Sequence, residues 1–279
     1  MVPETGDRHS LLRAAAGLIP GDTPRLDAEL LLSQALGEER LRMLVGSVPV
    51  SDESRAAFAA MVARRIRHEP VAHILGEREF WSLPIRVTAD VLVPRPDSET
   101  LIAEALAHFR AGPPATILDL GTGSGALLLA ALSEWPDARG LGIDRSEAAL
   151  EVARGNAEAL GLGGRADFRL GDWTDGLEGR FELILCNPPY IPDGTELMPD
   201  VALHEPAGAL FGGADGLDPY RRLIPEMPER LAPGGVALFE FGEGQAEALR
   251  AMAMDSGLKA DVAADLAGRP RVLKVLAAG

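Results

Sequence analysis

The chain has 279 residues, 47% hydrophobic and 25% charged, with a formal net charge of −15 and one cysteine. This is an ordinary composition for a soluble globular protein, with room for one large domain and a small one or for two medium domains, and it excludes an internal disulfide framework. No apolar run reaches the roughly 18 residues that span a bilayer, and the polar, mixed-charge Met1–Ser10 does not read as a signal peptide, so no membrane association and a cytoplasmic location are expected.

Residues 7–69 read as helical. Apolar side chains recur at helical spacing in Leu26, Leu30, Leu31 and Ala35, and again in Phe58, Met61, Val62 and Ile66. Asp22 or Thr23 before Pro24 marks one helix start, because proline is tolerated in the first turn. Ser51, followed by Asp52 and Glu53, marks another, with acids at its positive end. Gly37 and Gly46-Ser47 punctuate the segment, so a small bundle of about four helices is expected. Arg64, Arg65 and Arg67 are the densest basic cluster. They read as a solvated helix face, with a contact surface for an acidic or RNA-bound partner as the alternative.

From Gly76 the texture changes. Glu79-Phe80-Trp81 and Ile85-Arg86-Val87 flank Ser82-Leu83-Pro84 and suggest a hairpin. A proline-stiffened connector, Val93-Pro94-Arg95-Pro96-Asp97-Ser98-Glu99, then leads into a helix over Glu99–Phe109. The expected domains are 1–75, a helical unit; 76–98, hairpin and connector; and 99–279, the larger unit.

Beyond Thr116, strands alternate with helices. Strands are expected at Thr116–Leu120, Arg139–Ile143, Arg165–Leu170, Phe181–Cys186 and Val236–Phe241, with a final pair around Ala263 and Val272–Leu276. Helices are expected at Gly125–Trp135, Glu147–Leu160, Pro219–Leu231 and Gln245–Ser256. This alternation predicts an α/β fold with an open, mainly parallel, Rossmann-like sheet covered by helices. Ligands on such sheets bind at the carboxyl ends of strands where strand order reverses. Cys186 reads as a small buried side chain late in a strand.

Asp119-Leu120-Gly121-Thr122-Gly123-Ser124-Gly125 follows an apolar strand and opens a helix. Its glycines let the backbone turn sharply and approach a ligand, and the spacing differs from the Gly-x-Gly-x-x-Gly of dinucleotide binders. Asp144 ends the next strand, where a carboxylate can accept both ribose hydroxyls; capping of the Glu147 helix is the alternative. In Gly171-Asp172-Trp173, Trp173 can cover an adenine face and Asp172 accept from its amino group, or the segment is a surface turn with a core tryptophan.

Asn187-Pro188-Pro189-Tyr190 ends the fourth strand. Two prolines end a strand ladder and donate no backbone hydrogen bonds, so their carbonyls can face a ligand. An amide or arylamine nitrogen is a poor nucleophile because its lone pair is delocalised. Asn187 Oδ1 and the Pro188 carbonyl can accept both of its N–H hydrogens and let it pyramidalise toward a methyl sulfonium, with Tyr190 on the flat face. A cis-proline turn is the alternative. The five histidines are dispersed and show no metal-ligand spacing. Glu240 in Phe239-Glu240-Phe241-Gly242 reads as structural.

Those residues leave open whether the nitrogen belongs to a protein amide or to a base. Charge weighs on the choice. Residues 1–70 carry 9 Arg and 10 acidic residues, and the rest 18 basic and 32 acidic. A body this acidic repels a phosphate backbone, which weighs against a base flipped from nucleic acid.

The sequence resembles the peptide chain release factor N5-glutamine methyltransferases, the PrmC/HemK family, over nearly its whole length. The resemblance is carried by Glu69–Gly76, Glu79-Phe80-Trp81, Pro94–Glu99, Asp119–Gly125, Gly171-Asp172-Trp173, Asn187–Tyr190, Glu205–Leu210, Gly213–Leu217 and Leu231–Gly235. It implies a class I methyltransferase sheet with a small N-terminal helical bundle joined by the hairpin. It implies S-adenosylmethionine as methyl donor, leaving as S-adenosylhomocysteine, with Gly121, Thr122, Gly123, Ser124, Gly125, Asp144, Trp173 and Asn187 as its binding residues. It implies Asn187, Pro188, Pro189 and Tyr190 as the catalytic set, no metal, and methylation of the glutamine of the Gly-Gly-Gln motif in class I release factors. The helical domain would grip that partner, with the enzyme a monomer. A ribosomal-protein glutamine, or adenine N6 or guanine N2 in nucleic acid, are the alternative targets.

Overall fold

The computed structural model describes residues 7–46 and 49–277, so the expected break at Gly46-Ser47 lies partly outside the described residues. The contacts divide the chain into two compact units, Met1–Glu77 with Leu197–His204, and Arg78–Glu196 with Glu205–Gly279. The hairpin and connector thus pack with the larger unit, and a short stretch that sequence alone assigned to 99–279 packs with the helices.

The helical unit contains α1 (Arg8–Ala16), α2 (Pro24–Leu36), α3 (Arg40–Val45), α4 (Asp52–Ile66) and α5 (Val71–Leu75). Asp7 and Ser51 cap α1 and α4 by accepting from the N–H groups of Ser10 and Ser54. Pro24 opens α2, but the Thr23 hydroxyl turns to Asp27 Oδ1 (3.0 Å) and not to a backbone N–H. Leu11, Leu12, Leu31, Leu32, Met43, Phe58 and Val62 form the centre of the core. Leu26 and Ile66 lie outside it, because a short bundle covers one stripe per helix.

Arg64, Arg65 and Arg67 do not share a solvated face. Arg65 is 5% exposed. Its Nε donates to Asp27 Oδ2 (2.7 Å), its Nη2 pairs with Asp200 Oδ2 (2.7 Å), and His68 Nδ1 lies 2.9 Å from Asp200 Oδ1. Arg64 pairs with Glu69, and Arg67 is the exposed one of the three. Asp200 stands in α9 (Pro199–Ala202), so Arg65 ties the 197–204 segment to α2 and α4 within this unit.

The larger unit begins with the hairpin of β1 (Glu77–Phe80) and β2 (Leu83–Arg86). It continues through α6 (Glu99–His108), β3 (Thr116–Leu120), α7 (Ala126–Glu134), β4 (Arg139–Asp144), α8 (Glu147–Ala159), β5 (Ala166–Leu170) and β6 (Phe181–Cys186). After the 197–204 excursion come α10 (Asp218–Leu223), α11 (Met227–Arg230), β7 (Leu231–Glu240), α12 (Ala246–Asp255), β8 (Leu258–Ala264) and β9 (Pro270–Ala277). The sheet runs β5-β4-β3-β6-β7-β9-β8, parallel from β5 to β7, with β9 antiparallel to both neighbours. This is the expected Rossmann-like class.

Two elements differ from expectation. The helix expected over 219–231 is broken into α10, a 3-10 turn and α11, because Pro225 and Pro228 each remove an N–H. β7 starts at Leu231, which pairs with Phe181 ahead of a register shift. β3 and β6 are neighbours, with Leu120 opposite Cys186, so the glycine loop and Asn187 emerge side by side where strand order reverses. Cys186 itself is fully buried.

Candidate active site

Gly121, Gly123 and Gly125 all have positive φ (71°, 55° and 81°), a region that side-chain-bearing residues rarely adopt. A Cβ on Gly121 would stand 3.2 Å from the Trp173 ring, so this glycine also makes room for the indole. The loop opens on a cavity of about 310 Å³ whose lining includes Gly121, Thr122, Gly123, Ser124, Asp144 and Asn187. Trp173, itself at φ 56°, is another lining side chain. Gly125 stands apart from the lining. Its missing Cβ would meet Ala153 at 3.2 Å, so it brings α8 close to the loop.

Asp144 accepts from the Gly123 N–H and the Ser146 N–H, each at 2.9 Å. The cap of α8 is Ser146, whose hydroxyl accepts from Ala149 N–H, so Asp144 is not the capping residue. Asp172 lines the same cavity and also holds an arginine. Arg222 Nη1 donates to its Oδ2 at 2.6 Å, and Nη2 reaches its carbonyl (3.1 Å) and Asp175 Oδ1 (2.7 Å). Arg222 thereby braces the turn that carries Trp173.

Three groups escaped sequence reasoning. Asn156, 2% exposed on α8, accepts from Arg86 N–H (2.9 Å) and donates to the carbonyls of Arg86 (3.0 Å) and Ser124 (2.8 Å). It therefore joins the hairpin to the glycine loop with every polar atom of its amide used. A lone asparagine in an amphipathic helix carries no sequence signal for such a role. Ser98 is the second; it lines the cavity from the connector and accepts from Asn187 Nδ2 at 3.1 Å.

Asp119, buried under the loop, is the third. Its Oδ2 accepts from the Thr122 hydroxyl (2.6 Å), and burial, with a contribution from the Asp144 charge, raises its pKa to about 7. A raised carboxyl pKa favours the folded state when protonated. The contribution is therefore full below the ordinary carboxylate range and is lost as pH rises to about 7. Urea melts between about pH 4.5 and about pH 7.5 are expected to show wild type losing stability relative to Asp119→Asn, by at most about 1.4 kcal/mol per pH unit. A constant difference would remove Asp119 as the titrating group.

In Asn187-Pro188-Pro189-Tyr190, Asn187 and Pro189 line the cavity, while Pro188 is buried and not among the lining residues. No described peptide bond is cis, so the cis-proline alternative is not realised. The Pro189 carbonyl does not face the cavity: a Cβ on Gly212 would come within 2.4 Å of it. A Cβ on Gly216 would likewise come within 2.1 Å of the Tyr190 carbonyl, so these two glycines allow the loop at 212–216 to back the motif. The Tyr190 ring packs on the core under β7 instead of lining the cavity. Its hydroxyl donates to Glu240 Oε1 (3.3 Å), and burial, then the Glu240 charge, push the phenol above its usual range.

The chain's relatives bear directly on this site. Residues 10–76 match the PrmC N-terminal domain family and residues 113–261 a methyltransferase domain family. A release factor glutamine methyltransferase of Rhodospirillum rubrum is 47% identical over 256 residues, covering 90% of this chain and 78% of the relative. Another, of Bradyrhizobium diazoefficiens, is 47% identical over 89% of this chain and 86% of its own length. The chain belongs to the release factor glutamine methyltransferase family. In this family member the PrmC N-terminal match falls on the helical unit, and the methyltransferase match holds the glycine loop, Asp144, Trp173 and Asn187. The ribosomal protein L11 methylase of Lactobacillus delbrueckii subsp. bulgaricus shares the fold, with a TM-score of 0.52 at 20% identity over 70% of this chain and 86% of its own. Among the described residues of the family member, no helix is long and apolar enough to cross a membrane.

Proposed function

We propose that this family member transfers the methyl group of S-adenosylmethionine to the N5 side-chain amide of the Gly-Gly-Gln glutamine in class I release factors, in the cytoplasm. The observation that carries the proposal is Asn187. It stands at the carboxyl end of β6, lines the cavity beside the glycine loop, and donates its Nδ2 to Ser98. Its Oδ1 is left to accept a hydrogen bond, which a primary amide supplies and a tertiary amine does not.

The lining residues fit the cofactor. Gly121, Gly123 and Ser124 would hold its amino-acid end, Asp144 its ribose hydroxyls, and the Trp173 ring one face of its base. The donor brings a methyl group on a sulfonium, activated toward a nucleophile. The chain's own part is to orient the acceptor. Asn187 Oδ1 and the Pro188 carbonyl would each take one N–H of the glutamine amide. Held by both, the nitrogen pyramidalises and its lone pair leaves the amide plane. That is orientation and electrostatic stabilisation without a strong base.

Asp144→Ala removes the ribose acceptor and also frees the Gly123 and Ser146 N–H groups that it now satisfies. The Kd for S-adenosylmethionine is expected to rise at least about tenfold, about 1.4 kcal/mol by calorimetry; an unchanged Kd would take Asp144 off the cofactor. The function itself is tested by incubating the full chain with labelled S-adenosylmethionine and a purified class I release factor. Label is expected on the wild-type factor and absent when the glutamine of Gly-Gly-Gln is replaced. Equal label on the replaced factor, or label on a ribosomal protein or DNA in its place, would overturn the proposal.

A further inference from the structure

We infer that Arg222 is a positioning residue for the cofactor: together with Glu226 it holds Trp173 in the left-handed backbone conformation that lays the indole against the glycine loop, and so sets how tightly S-adenosylmethionine binds. That role rests on the proposed contact between the Trp173 ring and one face of the cofactor base.

Trp173 stands at φ 56°, where a bulky side chain is an outlier. The left-handed region is disfavoured for a residue with a Cβ by roughly 5-fold to 30-fold. What the conformation gives is placement. The ring lies over Gly121, where a Cβ would stand 3.2 Å from it, and it lines the cavity. Rotation of φ back to the common regions would swing the indole off that seat. Such strain persists only where the surroundings over-determine it.

The surroundings do so on both sides of the residue. The φ of Trp173 is the rotation between its Cα and the peptide plane that carries the Asp172 carbonyl. That carbonyl is fixed twice, accepting from the Asp175 N–H (3.1 Å) and from Arg222 Nη2 (3.1 Å). Arg222 Nη1 also donates to Asp172 Oδ2 (2.6 Å) and Nη2 to Asp175 Oδ1 (2.7 Å), so one planar guanidinium grips the turn on three oxygens. After Trp173, Thr174 is 2% exposed and donates its hydroxyl to Glu226, while its carbonyl accepts from the Leu177 N–H (2.9 Å). Arg222 in α10 and Glu226 in the Ile224–Glu226 3-10 turn are four residues apart, so one short stretch of chain holds both neighbours of the strained residue. Neither side chain is among those that line the cavity, so both act on a ligand through Trp173. The Arg222 contacts are partly exposed, and as surface ion pairs they contribute little to stability. Their effect is on which conformer the turn adopts.

The test is calorimetric titration of the full chain with S-adenosylhomocysteine, on Arg222→Ala, Trp173→Ala and the double variant. Beside it stand fluorine NMR spectra of the free proteins with fluorotryptophan at all three tryptophans. Without Arg222, Trp173 relaxes toward the common regions and the binding-competent fraction shrinks, which raises Kd in proportion. The Kd in Arg222→Ala is expected to rise between about 3-fold and about 30-fold, the lower end set by the Thr174–Glu226 contact that remains. On the Trp173→Ala background, removing Arg222 is expected to change Kd by less than about twofold, because there is no ring left to place. In the spectra the Trp173 resonance alone is expected to move, with those of Trp81 and Trp135 in place, which a general loss of structure would not give. Glu226→Ala removes the other hold, gives the same pattern, and serves if Arg222→Ala does not fold. A Kd within about twofold of wild type in Arg222→Ala, a loss that adds in full to that of Trp173→Ala, or a shift shared by all three resonances would overturn the inference. An unchanged Kd in Trp173→Ala would instead overturn the reading of Trp173 on which it rests, so the two failures are distinct.

Discussion

Asn187→Ala is expected to lose between about 100-fold and about 1000-fold in kcat, the scale of removing one preorganised hydrogen-bonding group from a transition state. The alanine keeps the strand end and its two prolines but deletes the Oδ1 proposed as the acceptor. It also leaves the Ser98 hydroxyl without its donor. The cofactor has Asp144 and the glycine loop in addition, so its Kd is expected to stay within about threefold of wild type, less than about 0.7 kcal/mol. Single-turnover label transfer on release factor, beside calorimetry with S-adenosylmethionine, separates the two quantities. A variant that turns over near the wild-type rate would refute the acceptor role.

Arg65→Ala is expected to have the largest effect on stability. Its guanidinium is shared by Asp27 and Asp200, and Asp27 is 7% exposed. Deleting it leaves a buried carboxylate without its cation. Removing one partner of such a pair costs about 3–5 kcal/mol, which is a large share of the roughly 5–15 kcal/mol that holds a domain together. All three tryptophans, Trp81, Trp135 and Trp173, lie in the larger unit, so indole fluorescence does not report on this loss. Hydrogen exchange of the α2 and α4 amides does. Protection there is expected to collapse in Arg65→Ala and to persist in Arg67→Ala, whose side chain is exposed. Equal protection in the two variants would mean that Arg65 does not hold the unit together.

The two predictions rest on different kinds of information. Asn187 is readable from sequence because two prolines after an apolar strand are rare and stop the ladder at a definite place. Arg65 is not. In sequence it stands among three arginines at the end of an amphipathic helix, where a solvated face is the ordinary outcome. Only the pairing with Asp27, 38 residues earlier, and with Asp200, 135 residues later, makes it a buried hub. A short excursion from the methyltransferase part of the chain supplies the second carboxylate, and no local pattern announces it.

The strands show a similar split. Alternating apolar runs and glycine turns were enough for β3 through β6, whose ends fell within a residue of expectation. The 219–231 segment has helical apolar spacing but does not form one helix, because Pro225 and Pro228 interrupt it. β7 began earlier than its apolar run because pairing with Phe181 holds residues that lack intrinsic strand preference.

Sequence alone determined the fold class, the glycine loop and the Asn187 motif, because strand-helix alternation, positive-φ glycines and paired prolines are local demands of the backbone. Tertiary structure decided what surrounds them. It assigned Ser146 and not Asp144 to cap α8, gave Asp172 to Arg222, turned the Tyr190 ring to the core with its hydroxyl on Glu240, and set Ser98 against the Asn187 amide. Those outcomes depend on which polar groups meet once distant segments are buried together, where each must find a partner in the chain because water is excluded.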